Sequence, residues 1–330
     1  MTIIAVRYDF RAAPFAETSH ADLYAACLEQ VSFLEQHGAA DIVVLSEHHG
    51  VEDGFLPSPF TAAAAIGART QRLPIMIAAV LLPVHDPVRL AEQAIIADLI
   101  TKGRVSFVAG IGYRDEEFAM AGVDRKQRTK LLEEYVGVIR EAWTGDPFQW
   151  RGRTIRVTPK PHSPAPNMLI GGGVEAAARR AARLRLPFMS SINDAALQEA
   201  YQDEAAKVGF EGGYALLPNM AAYVFVSNDP DKTWAELERY AWYEAETYRS
   251  WHTAGVRSQV KSTASDPSAL RSEGLYRVMT PEECVALCEQ IGPMGTITLY
   301  PQVCGYPIDA TWESLELFRT EVLPRIRPPA

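Results

Sequence analysis

Short, almost uninterrupted apolar runs alternate with longer stretches of helical period along most of this chain. A strand that is apolar at nearly every position is covered on both faces, and parallel sheets wrapped in helices have that character. The runs occupy residues 2–8, 41–46, 74–81, 104–110, 168–170, 186–189, 220–226 and 295–300. Helical spacing predicts helices over 19–37, 58–70, 87–101, 125–143, 174–184, 194–208, 230–247, 281–291 and 311–323. In the first of these, Leu23, Ala26, Cys27, Val31 and Leu34 recur at steps of three and four, which makes one buried face, and Gly38 ends it. Eight strands in one unbroken series predict an α/β fold of the (β/α)8 TIM-barrel type. Such a barrel takes ~250 residues and tolerates insertions. The 330 residues therefore read as a single domain, 1–330. A small hairpin is expected after Pro147. Residues 249–275 are polar and mixed, with no strand period, and are expected to be an inserted loop or lid in the C-terminal half. A doubly wound open sheet fits less well, because no G-x-G-x-x-G follows the first strand.

Composition narrows the function. Apolar residues make up 48% and charged residues 22%, ordinary for a chain with a large core. The net charge is −9, so nothing here suits a nucleic-acid partner, and no polybasic run suits an anionic membrane. The longest apolar run, near Ile75 to Val84, is broken by Pro83 and too short to span a bilayer. The first residues have no basic region or cleavage site and read as a strand, which leads us to expect a cytoplasmic protein. Cys27, Cys284, Cys288 and Cys304 are expected to be idle reduced thiols, with no partners at ligand spacing.

In a barrel of this kind the active site lies at the C-terminal ends of the strands. After the second run comes Ser46-Glu47-His48-His49-Gly50. Neighbouring side chains on an extended segment point to opposite faces, so one histidine is expected to face the barrel mouth and the other a neighbouring helix. An imidazole at the mouth can serve as acid, base or polar anchor. No metal is expected, because adjacent histidines on a strand rarely share an ion and Glu47 alternates away from His48. After the fourth run, Gly110 and Gly112 permit close backbone approach to a flat ring, and Arg114 stands as a rim cation. The following Asp115, Glu116 and Glu117 suit either a helix cap or a ligand role. After the fifth run, Gly171, Gly172, Gly173 and Val174 open an alanine-rich helix, whose free N–H groups and dipole make an anion site. Arg179, Arg180 and Arg183 add charge on that helix. Aromatic residues Tyr243, Tyr248 and Trp251, with His252, cluster at the inserted segment, where the substrate is expected to make contact. They suit either the lining of a pocket or the packing of the lid, and packing is the simpler reading for most of them.

These segments, in this order and spacing, resemble the bacterial luciferase-like flavin-dependent oxidoreductases. The pieces are S-E-H-H-G, then L-P-V-H-D-P-V-R-L-A-E-Q-A, G-I-G-Y-R-D-E-E-F and I-G-G-G-V-E-A-A-A-R-R-A-A-R. The resemblance covers residues 1–185 well and the rest by general architecture. It implies a (β/α)8 barrel that binds FMN or the deazaflavin coenzyme F-420 at the strand ends. It implies that His48 lies in the flavin pocket and supports catalysis. It places Gly110, Gly112 and Arg114 beside the flavin and the Gly171–Val174 turn at its phosphate. Ala176 and Ala177 stand where luciferase has hydroxyls, so backbone groups would hold the phosphate. The implied reaction is monooxygenation of a small organic substrate by dioxygen and reduced FMN, the flavin arriving from a separate flavin reductase. A homodimer is common among such proteins. Two alternatives within the resemblance are hydride transfer with F-420 and non-catalytic flavin binding. An unrelated aldolase-type barrel would need a Schiff-base lysine at a strand end, and no core strand carries one.

Overall fold

Every hydrogen-bonded strand pair in the main sheet is parallel, as the two-sided burial of the apolar runs requires. The computed structural model describes residues 1–251 and 255–327. The elements, in chain order, begin with β1 (Ile3–Tyr8), α1 (His20–Gln36), β2 (Ile42–Leu45), α2 (Pro59–Arg69), β3 (Ile75–Leu81), α3 (Pro87–Thr101) and β4 (Val105–Gly110). Then come α4 (Asp115–Met120), α5 (Arg128–Thr144), the hairpin β5 (Phe148–Trp150) and β6 (Arg153–Ile155), β7 (Met168–Gly172) and α6 (Glu175–Arg183). The second half holds β8 (Phe188–Ser190), α7 (Ala195–Lys207), β9 (Ala215–Leu216), β10 (Met220–Val226), α8 (Pro230–Trp251) and α9 (Pro267–Glu273). It closes with β11 (Tyr276–Met279), α10 (Pro281–Ile291), β12 (Thr296–Leu299) and α11 (Ile308–Leu317).

The sheet order is β11-β10-β12-β1-β2-β3-β4-β7-β8-β9. Without the short strands β9 and β11, the eight expected strands run 7-8-1-2-3-4-5-6. The last therefore pairs with the first, from Ile3 opposite Thr296 to Val6 opposite Leu299. That is the circular order of a (β/α)8 barrel and not of a doubly wound sheet. All C-terminal strand ends consequently share one edge. The side chains of β1 from Ile4 onward are buried, and the core extends outward to Leu23, Val31 and Leu34 of α1 and Leu132, Val136 and Ile139 of α5.

The chain departs from the sequence expectation mainly in its C-terminal half. Residues 249–251 belong to α8, which continues past 247. Residues 267–273 form α9, started by Asp266, whose side chain accepts from Ala269 N–H, and ended by Gly274 in the left-handed region. Residues 276–279 add β11 to the sheet. The inserted segment thus carries a helix of its own and reaches the sheet. The four cysteines are buried and free. Among the described residues no helix is long and apolar enough to cross a membrane.

Candidate active site

The loop after β2 is stapled to the chain that follows β1. His48 N–H donates to Leu56 O (3.2 Å), Leu56 N–H to Asp9 O (3.0 Å) and Ala12 N–H to Asp53 O (2.8 Å). Within this fixed segment the strand alternation separates the two histidines. Glu47 and His49 turn to one side, where Glu47 Oε1 lies 2.8 Å from His85 Nε2 and 3.3 Å from His49 Nε2. Burial opposes ionisation of Glu47, but its contacts with His49 and His85 outweigh that and hold its pKa at about 2. His48 turns to the other side and is nearly fully buried.

His48 is held by the segment after β4. Gly112 adopts φ +69°, a conformation that disfavours any side chain, and a Cβ there would lie 3.1 Å from the Phe118 ring. The tight turn leads into α4 and brings Tyr113, Arg114 and Glu117 back over the β2 end. Glu117 Oε1 lies 2.7 Å from His48 Nδ1 and accepts from His49 N–H at 3.1 Å. An ionised carboxylate only accepts hydrogen bonds, so Nδ1 carries the proton and Nε2 presents a lone pair. Tyr113 OH lies 3.2 Å from that Nε2. Burial is the largest influence on His48 and lowers its pKa. Glu117 pulls it up and the charges of Arg114 and Arg11 push it down, with a net shift below the ordinary imidazole value. The site therefore holds a neutral imidazole of one tautomer, with its basic nitrogen facing a phenol.

Glu117 defines that tautomer, and a substitution tests it. In Glu117→Gln the amide both donates and accepts, so the His48 ring is expected to populate both tautomers. The ¹⁵N chemical shifts of labelled imidazole report this directly, and an unchanged Nδ1–H spectrum would count against the role given to Glu117. Hydrogen bonds to charged groups contribute about 1.5–3 kcal/mol, and a stability loss of that order is expected alongside.

Arg114 is no rim cation. It is buried, donates from Nη1 to His49 O (2.9 Å) and lies 3.4 Å from Glu117 Oε1. Its guanidinium stands 4.3 Å from the Trp251 ring centroid, a cation–π contact. Of the three acids after it, Glu117 is buried, while Asp115 and Glu116 are exposed. The α8 extension supplies the cover: Trp251 and Tyr248 lie 4.9 Å and 6.3 Å from the His48 ring, and Phe55 lies 4.8 Å away. Tyr243 sits elsewhere, against Phe15 and Arg11. His252 lies outside the described residues.

The glycine run at the C-terminal end of β7 reaches the same edge of the sheet, for a reason the sequence does not display. A Cβ on Gly171 would lie 2.6 Å from Val108 Cγ1, and one on Gly172 2.5 Å from Ala177 Cβ. One on Gly173 would lie 2.6 Å from Ser191 Oγ and 2.9 Å from Arg257 O. Protein atoms fill the space that the missing side chains leave. Gly110 is similar, with the Ala79 Cβ 3.1 Å away. The segment beyond α8 packs against this turn: Ser191 Oγ donates to Arg257 O (2.7 Å), and Arg257 pairs with Asp194 (2.9 Å). Val174 begins α6 with no side-chain cap. The first N–H groups of a helix have no intrahelical partners, so an uncapped start can receive an anion. Arg179 and Arg183 pair with Glu204, and Arg180 with Glu133, so carboxylates take up the charge expected from that helix.

Beneath His48 lies a buried ionic floor that periodicity does not reveal. Arg11 Nη2 is 2.7 Å from Asp53 Oδ2, and Arg11 Nη1 is 3.7 Å from Glu244. Arg7 pairs with Asp9 (3.2 Å) and Glu244 (3.4 Å) and meets the hydroxyls of Tyr223 and Tyr248. Tyr276 OH donates to Glu244 Oε2 at 2.7 Å. Arg11 also lies 5.4–5.6 Å from the Tyr248 and Trp251 ring centroids, which joins the floor to the cover over His48.

A parallel α/β sheet of this strand order, with a histidine–carboxylate unit and an uncapped glycine turn along one edge, is a barrel-type α/β architecture with a candidate site at the C-terminal strand ends. Residues 8–291 match the luciferase-like monooxygenase family, and the chain belongs to that family. It is 25% identical over 322 residues to an alkanal monooxygenase alpha chain of Photorhabdus luminescens, covering 87% of this chain and 88% of that one. It is 34% identical over 129 residues to an uncharacterised protein of Mycobacterium tuberculosis, covering 38% of this chain and 44% of that relative's length. Its fold is shared with the oxygenating constituent of 3,6-diketocamphane monooxygenase from Pseudomonas putida, a structure in complex with FMN. There the TM-score is 0.70 at 19% identity, and both chains are covered completely.

Proposed function

We propose that this chain is a monooxygenase that takes reduced FMN as a co-substrate from a separate reductase and uses dioxygen to oxidise a small organic molecule. The single observation that carries this reading is the neutral, tautomer-fixed His48 beside Tyr113 at the C-terminal edge of the sheet. The donor set fits a flavin phosphate and ring. Val174 leaves the α6 N-terminus uncapped, and Glu117 Oε2 and Arg114 Nε are buried without hydrogen-bond partners beside His48. The backbone of Gly171, Gly172, Gly173 and Val174 would receive the phosphate, and the chain at Gly110 and Gly112 would lie along the ring. Arg114 acts by holding Glu117 and the Trp251 cover in place.

Bound reduced FMN supplies the electrons that activate dioxygen. The chain's own residues do the rest. His48 Nε2 receives and returns a proton, with Tyr113 OH as its neighbour. Glu117 keeps the opposite ring nitrogen protonated. Phe55, Tyr248 and Trp251 exclude water, which protects reactive species from side reactions. Phosphate held by backbone N–H groups, without side-chain hydroxyls, suits a flavin that arrives and leaves with each turnover. The buried free thiols suit a reducing cytoplasm.

Calorimetric titration with FMN and with coenzyme F-420, each oxidised and reduced, tests the reading, together with oxygen uptake on mixing with reduced FMN. Association with reduced FMN and oxygen consumption are expected. No association with either cofactor removes the flavin reading. Tight binding of the deazaflavin without oxygen consumption replaces it with hydride transfer.

A further inference from the structure

The side of the β2 end that faces away from His48 brings together three metal-binding side chains. Glu47 and His49 are two residues apart on extended chain and therefore share a face. His85 arrives from the turn that follows β3. One oxygen and two imidazole nitrogens from these residues lie within 4.8 Å of one another. We infer that Glu47, His49 and His85 form a divalent-metal site whose natural occupant is Zn²⁺ or an ion of like chemistry.

The donor chemistry and the spacing both favour this. Two imidazoles and one carboxylate are a zinc set, with bonds of about 2.0–2.2 Å, so tetrahedral ligands stand about 3.3–3.5 Å apart. Glu47 Oε1 stands 3.3 Å from His49 Nε2 and 2.8 Å from His85 Nε2, so a small outward shift of His85 admits the ion. The second carboxylate oxygen is already engaged: Glu47 Oε2 accepts from Leu81 N–H at 2.6 Å, which aims Oε1 at the imidazoles. Such outer contacts orient metal ligands and tune their strength. His49 Nε2 is buried and makes no hydrogen bond of proper geometry despite the nearby carboxylate. A dication would give that nitrogen a directed partner beyond its 3.3 Å contact with Glu47, and would compensate the charge of a carboxylate whose side chain is 0% exposed. The histidine side chains remain 16% and 20% exposed, which gives an ion a way in and leaves a position for water. An ion here would tie the β2 loop to the β3 turn and brace the segment carrying His48 from behind. The inference does not depend on flavin use.

The test uses the full-length protein, freed of metal by dialysis against a chelator and then titrated with Zn²⁺ and, separately, with Co²⁺. One Zn²⁺ per chain is expected by calorimetry, with a rise in melting temperature. Co²⁺ is expected to show the intense visible absorption of a four- or five-coordinate nitrogen–oxygen site. Loss of an outer contact alone weakens metal affinity about 10–100-fold, so His49→Gln and His85→Gln should each cost at least ~100-fold. His37→Gln, at an exposed position, should bind as the parent does. No Zn²⁺ binding, or the weak absorption of six-coordinate aqueous Co²⁺, overturns the site and leaves a hydrogen-bonded Glu–His–His cluster. Undiminished binding in both ligand variants also overturns it. The Co²⁺ spectrum of the parent chain decides the matter even if a variant fails to fold, and flavin titration of the metal-free protein reads out separately.

Discussion

His48→Ala is expected to lower substrate oxidation by about 10²–10⁴-fold while weakening flavin association only modestly, the usual loss when a general acid or base is removed. At about 1.36 kcal/mol per factor of ten, this corresponds to roughly 3–5 kcal/mol of transition-state stabilisation. The structure gives the reason. His48 holds its proton at Nδ1 against Glu117, its Nε2 faces Tyr113, and burial keeps the ring neutral. Its position between Phe55 and Trp251 also gives it a packing role, so alanine alone mixes two effects. His48→Gln separates them. Its amide retains a donor for Glu117 and much of the volume, but has no nitrogen that takes a proton near neutral pH. Both variants should lose turnover to a similar extent, with the glutamine variant more stable. If oxidation rates in both match the parent under saturating reduced FMN, His48 is a packing residue and the proton-transfer role is lost.

How far the sequence reveals this site depends on how local each feature is. The eight strands were legible because two-sided burial writes a continuous apolar run, and the edge that carries the site follows from that pattern. His48 was legible because it lies three residues past the end of β2. Its partner was not: Glu117 lies 69 residues away and is chosen over Asp115 and Glu116 by the turn at Gly112. Tyr248 and Trp251 were legible as an aromatic cluster, but their place over His48 was not, because Glu244, a charged residue on the buried face of α8, obscures the period that carries the helix on to Trp251. That carboxylate is buried because Arg7, Arg11 and Tyr276 surround it, and none of them is near in sequence. The glycines after β7 were visible, but their cause lies in Val108, Ser191 and Arg257. Strands β9 and β11, of two and four residues, are too short to show a period.

The second large effect is expected in stability, from the ionic floor. Arg11 and Asp53 have side chains that are both 0% exposed, and Asp53 Oδ2 accepts from Arg11 Nε at 2.8 Å. Two charges drawn fully out of water lose hydration worth several kcal/mol each, and their mutual attraction offsets this only while both are present. Asp53→Ala therefore leaves the guanidinium facing Glu244 at 3.7 Å and a set of aromatic faces, and should destabilise the chain by about 3–5 kcal/mol. Removing both charges is a different matter. The pair Arg11→Met with Asp53→Leu has no charge to strand at these positions, so its loss should be smaller than that of Asp53→Ala, although Glu244 then relies on Arg7 alone for a cation. Urea unfolding of Asp53→Ala, the double variant, its two single substitutions Arg11→Met and Asp53→Leu, and the parent measures the difference. A double variant as unstable as the sum of its single substitutions would show that packing, and not charge pairing, sets the cost. The floor also carries Tyr248 and Trp251 through their contacts with Arg11. Asp53→Ala should accordingly loosen the cover over His48, and faster hydrogen exchange at the end of α8 is the expected sign.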